Sequence, residues 1–206
     1  MHGMTDAAPD IVRRAAAAFN AGRRDDAQKL CVQGLARAPG EPMLSHLLAA
    51  VLFAGGEAAA ARQAWQAILK AIPEQAEALA RLGRLAWEDG DYATAASCLE
   101  RAAQHDPPAS VWFDLGLARQ DLRDHDGAAD AYRRALGKKA DYAEAALNLG
   151  IVLQEKGDAD GALGAYREAY RLRPGLFGTI AMALSSAPHG GLWIEEAELR
   201  RSLTGA

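Results

Sequence analysis

The chain has 206 residues, half of them hydrophobic, and a formal net charge of −4 at pH 7. That length is enough for one domain with a sizeable core. The interspersed acidic and basic residues exclude the concentrated basic face of a nucleic-acid-binding protein. No apolar run approaches the ~18 residues of a membrane span, and no secretory signal opens the chain, so we expect a cytoplasmic protein. Arg outnumbers Lys and Ala is abundant, which indicates a GC-rich bacterial coding sequence.

Residues 1–7 are expected to be frayed, and five similar units then follow one another without linkers. Their predicted ranges are 8–41, 42–75, 76–108, 109–142 and 143–176. The clearest copy is the fifth, whose landmarks are, in order, Gly150, Gly157, Ala162, Tyr166, Ala169 and Pro174.

Each recurring position has a physical reason. Position 8 of every unit is Gly or Ala and position 20 is always Ala, so two helices of one unit can approach closely. Position 24 is mostly bulky and is expected to fill the space towards the next unit. Position 15 is Gly, which suits a left-handed helix end, except for Arg123 in the fourth unit, where we predict a strained or differently shaped turn. Position 32 is Pro except for Ala140, so the second helix of the fourth unit is predicted to run on through Lys138 and Lys139.

This spacing resembles the tetratricopeptide repeat, a helix-turn-helix unit of about 34 residues. The resemblance covers residues 8–176. It implies an all-α fold, a right-handed α-solenoid of tandem helix-turn-helix repeats forming a tetratricopeptide-like superhelix. It also implies a function in partner binding.

The last part of the chain, residues 177–206, is predicted to form C-terminal capping helices. Helical spacing indicates one helix over 177–187 and a final helix over 192–203, separated by Pro188 and two glycines. The final helix has two alternative positions, as a cap on the preceding helix or as a plug over Leu147 and Ile151. We favour the cap because two glycines give little reach.

No catalytic or metal-binding constellation is evident. The histidines are scattered over different units, and Asp124-His125-Asp126 falls in a turn, where polar residues are expected anyway. No phosphate-binding glycine loop occurs. Cys31 and Cys98 lack metal or redox spacing and are expected to be buried and reduced. We therefore expect no enzyme activity, no metal, no cofactor and no membrane insertion.

The informative surface lies on the first helix of each unit. Because a helix turns about 100° per residue, positions 2, 5, 9 and 12 form one stripe, which we call the inner stripe. In proteins that this chain resembles, the inner stripe lines a concave groove that grips an extended or helical segment of a partner. Aromatic residues recur at position 12 as Phe19, Phe53 and Trp87. The alternative is that these aromatic rings only pack between neighbouring helices.

The candidate partner-binding residues lie on the inner stripe or beside it. They are His46, Phe53, Arg81, Arg84, Trp87, Phe113, Leu117, Asn148 and Ile151. Apolar side chains would supply affinity, whereas Arg81, Arg84 and Asn148 would orient the partner, the two arginines by anchoring an acidic group. A clamp for chaperone C-termini is disfavoured because positions 5 and 9 are mostly apolar.

The leading hypothesis is a non-enzymatic protein-interaction scaffold that binds a peptide or helical segment of an unidentified protein partner. The alternatives are a self-associating assembly module, hence a homo-oligomer, and an accessory domain or subunit of a transferase-type enzyme system.

Overall fold

The computed structural model describes residues 8–185 and 196–204, and over these ranges the chain forms helices and turns without a strand. It divides into two compact units, Met1–Asp89 and Gly90–Ala206. The predicted all-α fold of tandem helix-turn-helix hairpins is confirmed.

The first unit contains two complete hairpins and the first helix of a third. Its helices are α1 (Ala8–Asn20), α2 (Arg24–Arg37), α3 (Pro42–Ala54), α4 (Ala58–Ala71) and α5 (Ala76–Glu88). Each helix packs on the next one along the chain. The core between them is built from small and large side chains in alternation, such as Ala49 and Ala61 against Trp65.

The second unit continues the same pattern. Its helices are α6 (Tyr92–Ala103), α7 (Ala109–Asp121), α8 (His125–Lys138), α9 (Ala143–Glu155), α10 (Ala159–Leu172), α11 (Phe177–Ser185) and α12 (Glu196–Thr204), with a 3₁₀ turn at Pro174–Leu176. The closest packing joins α7 to α8 and α9 to α10. Helices α8, α10 and their shorter counterpart α6 begin after an aspartate whose carboxylate accepts a backbone N–H three residues later.

The turn inside the fourth predicted repeat keeps the common shape although it lacks glycine. Arg123 has φ of +62° where Gly157 has +84° one repeat later. Asp124 N donates to Arg119 O over 2.9 Å, as Asp158 N does to Leu153 O. Arg123 is therefore strained, as predicted, in a left-handed conformation that disfavours a side chain, while the alternative of a differently shaped turn is wrong.

The prediction that the helix of the fourth repeat runs on through Lys139 is also wrong. Helix α8 ends at Lys138, and Lys139 is extended with φ −144° and ψ 94°. Arg173, after α10, has almost the same angles and is followed by Pro174. The two helices end alike with and without proline, so proline is not required for this helix end.

In the α7–α8 hairpin and in the α9–α10 hairpin, a tyrosine ring packs directly against a glycine. A Cβ atom on Gly116 would lie 2.4 Å from the Tyr132 ring, and one on Gly150 would lie 2.6 Å from the Tyr166 ring. Both rings are fully buried. In the fourth and fifth units, the residue at position 24 thus packs against the residue at position 8 of the same unit. The prediction was only that position 24 fills the space towards the next unit.

We predict opposite effects for two Gly→Ala substitutions in one hairpin. Gly150→Ala should lower the free energy of unfolding by about 1–3 kcal/mol, because the new methyl group overpacks the buried Tyr166. Gly164→Ala, on α10 with no heavy atom within 4 Å of its added Cβ, should raise it by about 0.5–1 kcal/mol. Urea unfolding measures both, and an increase for both would contradict the packing argument.

The C-terminal helices are described over Phe177–Ser185 (α11) and Glu196–Thr204 (α12). The predicted helical residues 186, 187 and 192–195 lie outside the described residues. Within the described residues, helix α12 packs on α10. Leu199 and Leu203 are buried in the cluster that contains Tyr166. The assignment of this segment as a cap stays a prediction.

A test of the cap uses the two buried leucines. Leu199→Ala and Leu203→Ala should each lower the free energy of unfolding by about 2 kcal/mol or more, as buried Leu→Ala changes do, and should increase binding of an apolar dye. Thr204→Ala, at an exposed position of the same helix, is the control. If both leucine variants melt like the wild type, α12 does not serve as a cap.

Candidate partner-binding surface

In the first unit, some side chains of the inner stripe pack into the core and also reach the surface. Phe53 is half-buried, with its ring centroid 5.9 Å from that of the fully buried Trp65. It also packs against the cluster of Ala49 and Leu85. This aromatic side chain therefore supports the core of its hairpin as well as reaching the surface.

Arg84 and Trp87 on this stripe, and Arg81 beside it, are more accessible than His46. Arg81 Nη2 lies 3.7 Å from Glu77 Oε1, and Arg84 Nε donates to Glu88 Oε1 over 3.0 Å. The Arg84 guanidinium also lies 5.0 Å from the centroid of the Trp87 ring. Exposed ion pairs within one helix contribute about 0.5 kcal/mol or less. An acidic group of a partner would therefore displace either glutamate at little cost.

His46 is different from the other candidates because it is buried, at 7% exposure. Neither ring nitrogen has a hydrogen-bond partner among the residues that the structure describes. Burial lowers the pKa of His46, while Glu77 raises it and Arg81 lowers it further to a smaller extent. The ring is therefore neutral at pH 7, and a partner would reach its nitrogens only after the ring moves.

In the second unit, the inner stripe is also apolar over part of its length. The Phe113 ring lies 5.8 Å from the Tyr132 ring and 4.9 Å from the Tyr142 ring, measured between centroids. Leu117 and Ile151 are half-buried. Aromatic contacts thus hold Phe113 in place, and aliphatic side chains continue the apolar surface beside it.

Polar groups lie on the same stripe and are oriented by a buried hydroxyl. The Tyr132 hydroxyl donates to Gln120 Oε1 over 2.9 Å and accepts a bond from Asn148 Nδ2 over 3.5 Å. Burial raises the pKa of Tyr132 far above its ordinary value, so the hydroxyl keeps its proton. Within the described residues, Gln120 Nε2 and Asn148 Oδ1 have no partner, and neither is a buried atom.

The next hairpin repeats this arrangement. The Tyr166 hydroxyl donates to Gln154 Oε1 over 3.1 Å, and Gln154 Nε2 donates to the backbone oxygen of Ala183 over 2.6 Å. We did not predict these glutamines as site residues. One signal for them was available in the sequence: only the fourth and fifth repeats have both Gln at position 12 and Tyr at position 24.

Asp124 at the N-cap of α8, and His125 and Asp126 in its first turn, were predicted to lie in a turn and have polar neighbours in the structure. Asp124 Oδ1 accepts from Gly127 N over 3.0 Å, and His125 Nδ1 lies 3.2 Å from Glu155 Oε2. Asp126 pairs with Lys156. In the part of the chain that the structure describes, no group of three or more potential metal ligands occurs. No helix described there has both the length and the apolar character to cross a membrane.

Comparison with known proteins places these hairpins in context. The sequence matches the family model of the tetratricopeptide repeat three times, at residues 46–110, 80–139 and 113–176. A search of curated proteins found no match.

Several solved structures share the fold. MamA from Desulfovibrio magneticus RS-1, from residue 41 to its end, has a TM-score of 0.72 at 19% identity, covering 84% of this chain and 98% of that one. Another MamA structure is 26% identical, with a TM-score of 0.65 over 76% of this chain and 92% of that one. YrrB, described as a TPR protein with an unusual peptide-binding site, has a TM-score of 0.71 at 17% identity, covering 85% and 92%.

The buried histidine predicts a pH dependence of stability. Its pKa in the folded state lies below the ordinary value of 6.5. The unfolded chain therefore binds more protons as the pH falls through and below 6.5, and the free energy of unfolding falls with it. Between about pH 7.5 and 5.5, the wild type should lose more stability in urea than His46→Leu. His105→Leu, at an exposed position, is the control, and equal losses in all three proteins would refute the role of His46.

Proposed function

The chain belongs to the tetratricopeptide repeat family, and we propose that it is a non-enzymatic interaction protein that binds a segment of a partner protein on the inner stripe of its second unit. Members of this family typically act as protein-interaction scaffolds.

The observation that carries this proposal is the composition of the stripe on α7 and α9. Single exposed apolar side chains are ordinary. Here half-buried Leu117 and Ile151 continue the surface of a fixed aromatic ring, Phe113, and stand beside two amides, Gln120 and Asn148, each of which keeps one atom that has no partner in the described residues. Apolar anchors beside a few fixed polar groups are typical of a binding site.

We propose the stripe of the first unit as a separate candidate binding surface. Trp87 and Phe53 would supply apolar contacts there, beside the buried, neutral His46. Arg81 and Arg84 would exchange their glutamate partners for an acidic group of a segment bound to this unit, because intrahelical ion pairs at the surface are weak. Phe53 is the least suitable for mutational tests, since it also packs on Trp65.

The experiment selects ligands from a displayed library of random linear peptides of about 12 residues, using the full chain as bait. Leu117→Ala and Ile151→Ala should weaken the selected peptides by about thirtyfold, the cost of truncating a central anchor, without large loss of stability. Val32→Ala and Ile72→Ala remove exposed apolar side chains away from the stripe and should leave affinity unchanged.

Two outcomes would contradict the proposal. Peptides that bind both stripe variants as tightly as the wild type would place the binding surface elsewhere. If instead no peptide is selected, and sedimentation shows an oligomer that Leu117→Ala and Ile151→Ala dissociate, the stripe serves self-association.

A further inference from the structure

We propose that the first hairpin, α1 and α2, carries a further docking surface, which binds an acidic amphipathic helix of another protein. The surface is a trough between the two helices, separate from the inner stripe, and we call it the basic trough. Small and apolar side chains and three basic side chains line it, namely Ala17, Ala18, Leu30, Arg14, Arg23 and Lys29. The inference does not rest on the function proposed for the second unit.

In every later unit, one side of the first helix is covered by the second helix of the preceding unit. Helices α3, α5, α7 and α9 each pack on the helix before them. Leu44, at position 3 of α3, shows this contact directly, since a Cβ atom added to Gly34 on α2 would lie 2.4 Å from its Cδ1 atom. No helix precedes α1 in the described residues, so the corresponding side of α1 is open there.

The first unit has different residues on this side. Positions 3, 7 and 10 form one stripe, because a helix turns about 100° per residue. In the four later units the residues at these positions are all apolar and none is exposed: Leu44, Leu48, Val51, Ala78, Leu82, Leu85, Val111, Leu115, Ala118, Ala145, Leu149 and Val152. The first unit has Asp10, Arg14 and Ala17 instead. A purely apolar helix is therefore a poor match, since it would bury the charge of Arg14 without a partner.

The charges of the basic trough favour an acidic occupant. Arg14 lies on α1, Lys29 on α2, and Arg23 in the turn between them. Asp26 is the only acidic residue among the described residues that line the trough, and its Oδ2 atom lies 3.4 Å from Arg23 Nη1. Lys29 has no ion pair within the described residues. Carboxylates on an occupant would therefore meet an excess of positive charge from both helices.

The second unit shows how a helix brings a carboxylate to this side. Arg119 lies at position 11 of α7, one turn beyond position 7, where the first unit has Arg14. Its Nη2 atom donates to Glu100 Oε1 on α6 over 2.7 Å, so the ion pair joins the first helix to the second helix of the preceding unit. A partner helix lying along α1 would place a carboxylate against Arg14 in the same way.

The apolar residues of the trough determine the rest of the occupant. Ala17 is exposed, Ala18 is buried and Leu30 is half-buried. Small side chains allow two helices to approach closely, and a bound amphipathic helix lays its apolar face into such a groove. The occupant is therefore a helix with an apolar stripe against Ala17 and Leu30 and with acidic residues on both flanks, towards Arg14 and Lys29.

The first test selects from a displayed library of helix-forming peptides of about 20 residues, with the full chain as bait. Ala, Val and Leu vary on one stripe, and Glu, Lys and Gln vary in equal amounts on its two flanks. Glu should be enriched over Lys on both flanks. Arg14→Glu and Lys29→Glu should each weaken a selected peptide by about tenfold or more. The control is Arg13→Glu, the same change at an exposed residue outside the trough, which should leave affinity within about threefold.

The second test exchanges charges and does not depend on the loss of binding by a variant. A selected peptide with Lys in place of Glu on one flank should lose affinity for the wild type and regain it with Arg14→Glu or Lys29→Glu. A peptide of the same composition, with its Glu residues distributed around the whole helix, should bind the wild type about tenfold more weakly. Circular dichroism should show that the selected peptide is helical when bound.

Each outcome decides one part of the inference. If Lys is enriched, or if no selected peptide responds to Arg14→Glu and Lys29→Glu, the docking surface is refuted, and the polar side of α1 serves only to solvate the end of the repeat array. Equal binding of the rearranged peptide refutes helix docking and leaves general attraction of acidic chains. Leu117→Ala and Ile151→Ala should bind the selected peptides normally, whatever the outcome for the inner stripe, and a loss there would place these peptides on the second unit and overturn the inference.

Discussion

A buried tyrosine ring lying against a glycine is the contact on which the second unit depends. Tyr132 on Gly116 and Tyr166 on Gly150 allow α7 and α8, and α9 and α10, to approach more closely than any larger residue would permit. Burial of the ring leaves the hydroxyl as its only polar group, and this group needs a partner. A glutamine at position 12 supplies it. The packing of the hairpin therefore decides which atoms the surface amides present.

The first unit meets the same packing requirement with different chemistry. Its two complete hairpins have Cys31 and Trp65 at position 24, opposite Ala15 and Ala49 at position 8. Neither residue at position 24 has a hydroxyl group that needs a partner. Position 12 carries an aromatic side chain in these hairpins, and Phe53 packs on Trp65. The inner stripe of this unit thus combines aromatic and ion-paired groups, whereas that of the second unit adds amides with unused hydrogen-bonding atoms.

The helix-turn-helix fold could be predicted from the sequence because its requirements are local. A left-handed turn favours Gly157, and a close helix contact requires small residues such as Ala162. The end of α8 at Lys138 was not predicted, because the absence of proline at Ala140 was taken to let the helix continue, whereas Lys139 is already extended. The burial of His46 was also missed, since helical periodicity places a residue on a face but does not say how closely neighbouring helices cover that face. The partner-binding roles of the candidate residues stay predictions.

The bond from Gln154 to Ala183 joins the last turn of α11 to the hairpin of α9 and α10. Gln120 and Gln154 stand one repeat apart and accept the same bond from a tyrosine hydroxyl, but the donor of Gln154 is occupied by the carbonyl oxygen of Ala183. Without α11, Gln154 would resemble Gln120, whose Nε2 donor has no partner in the described residues.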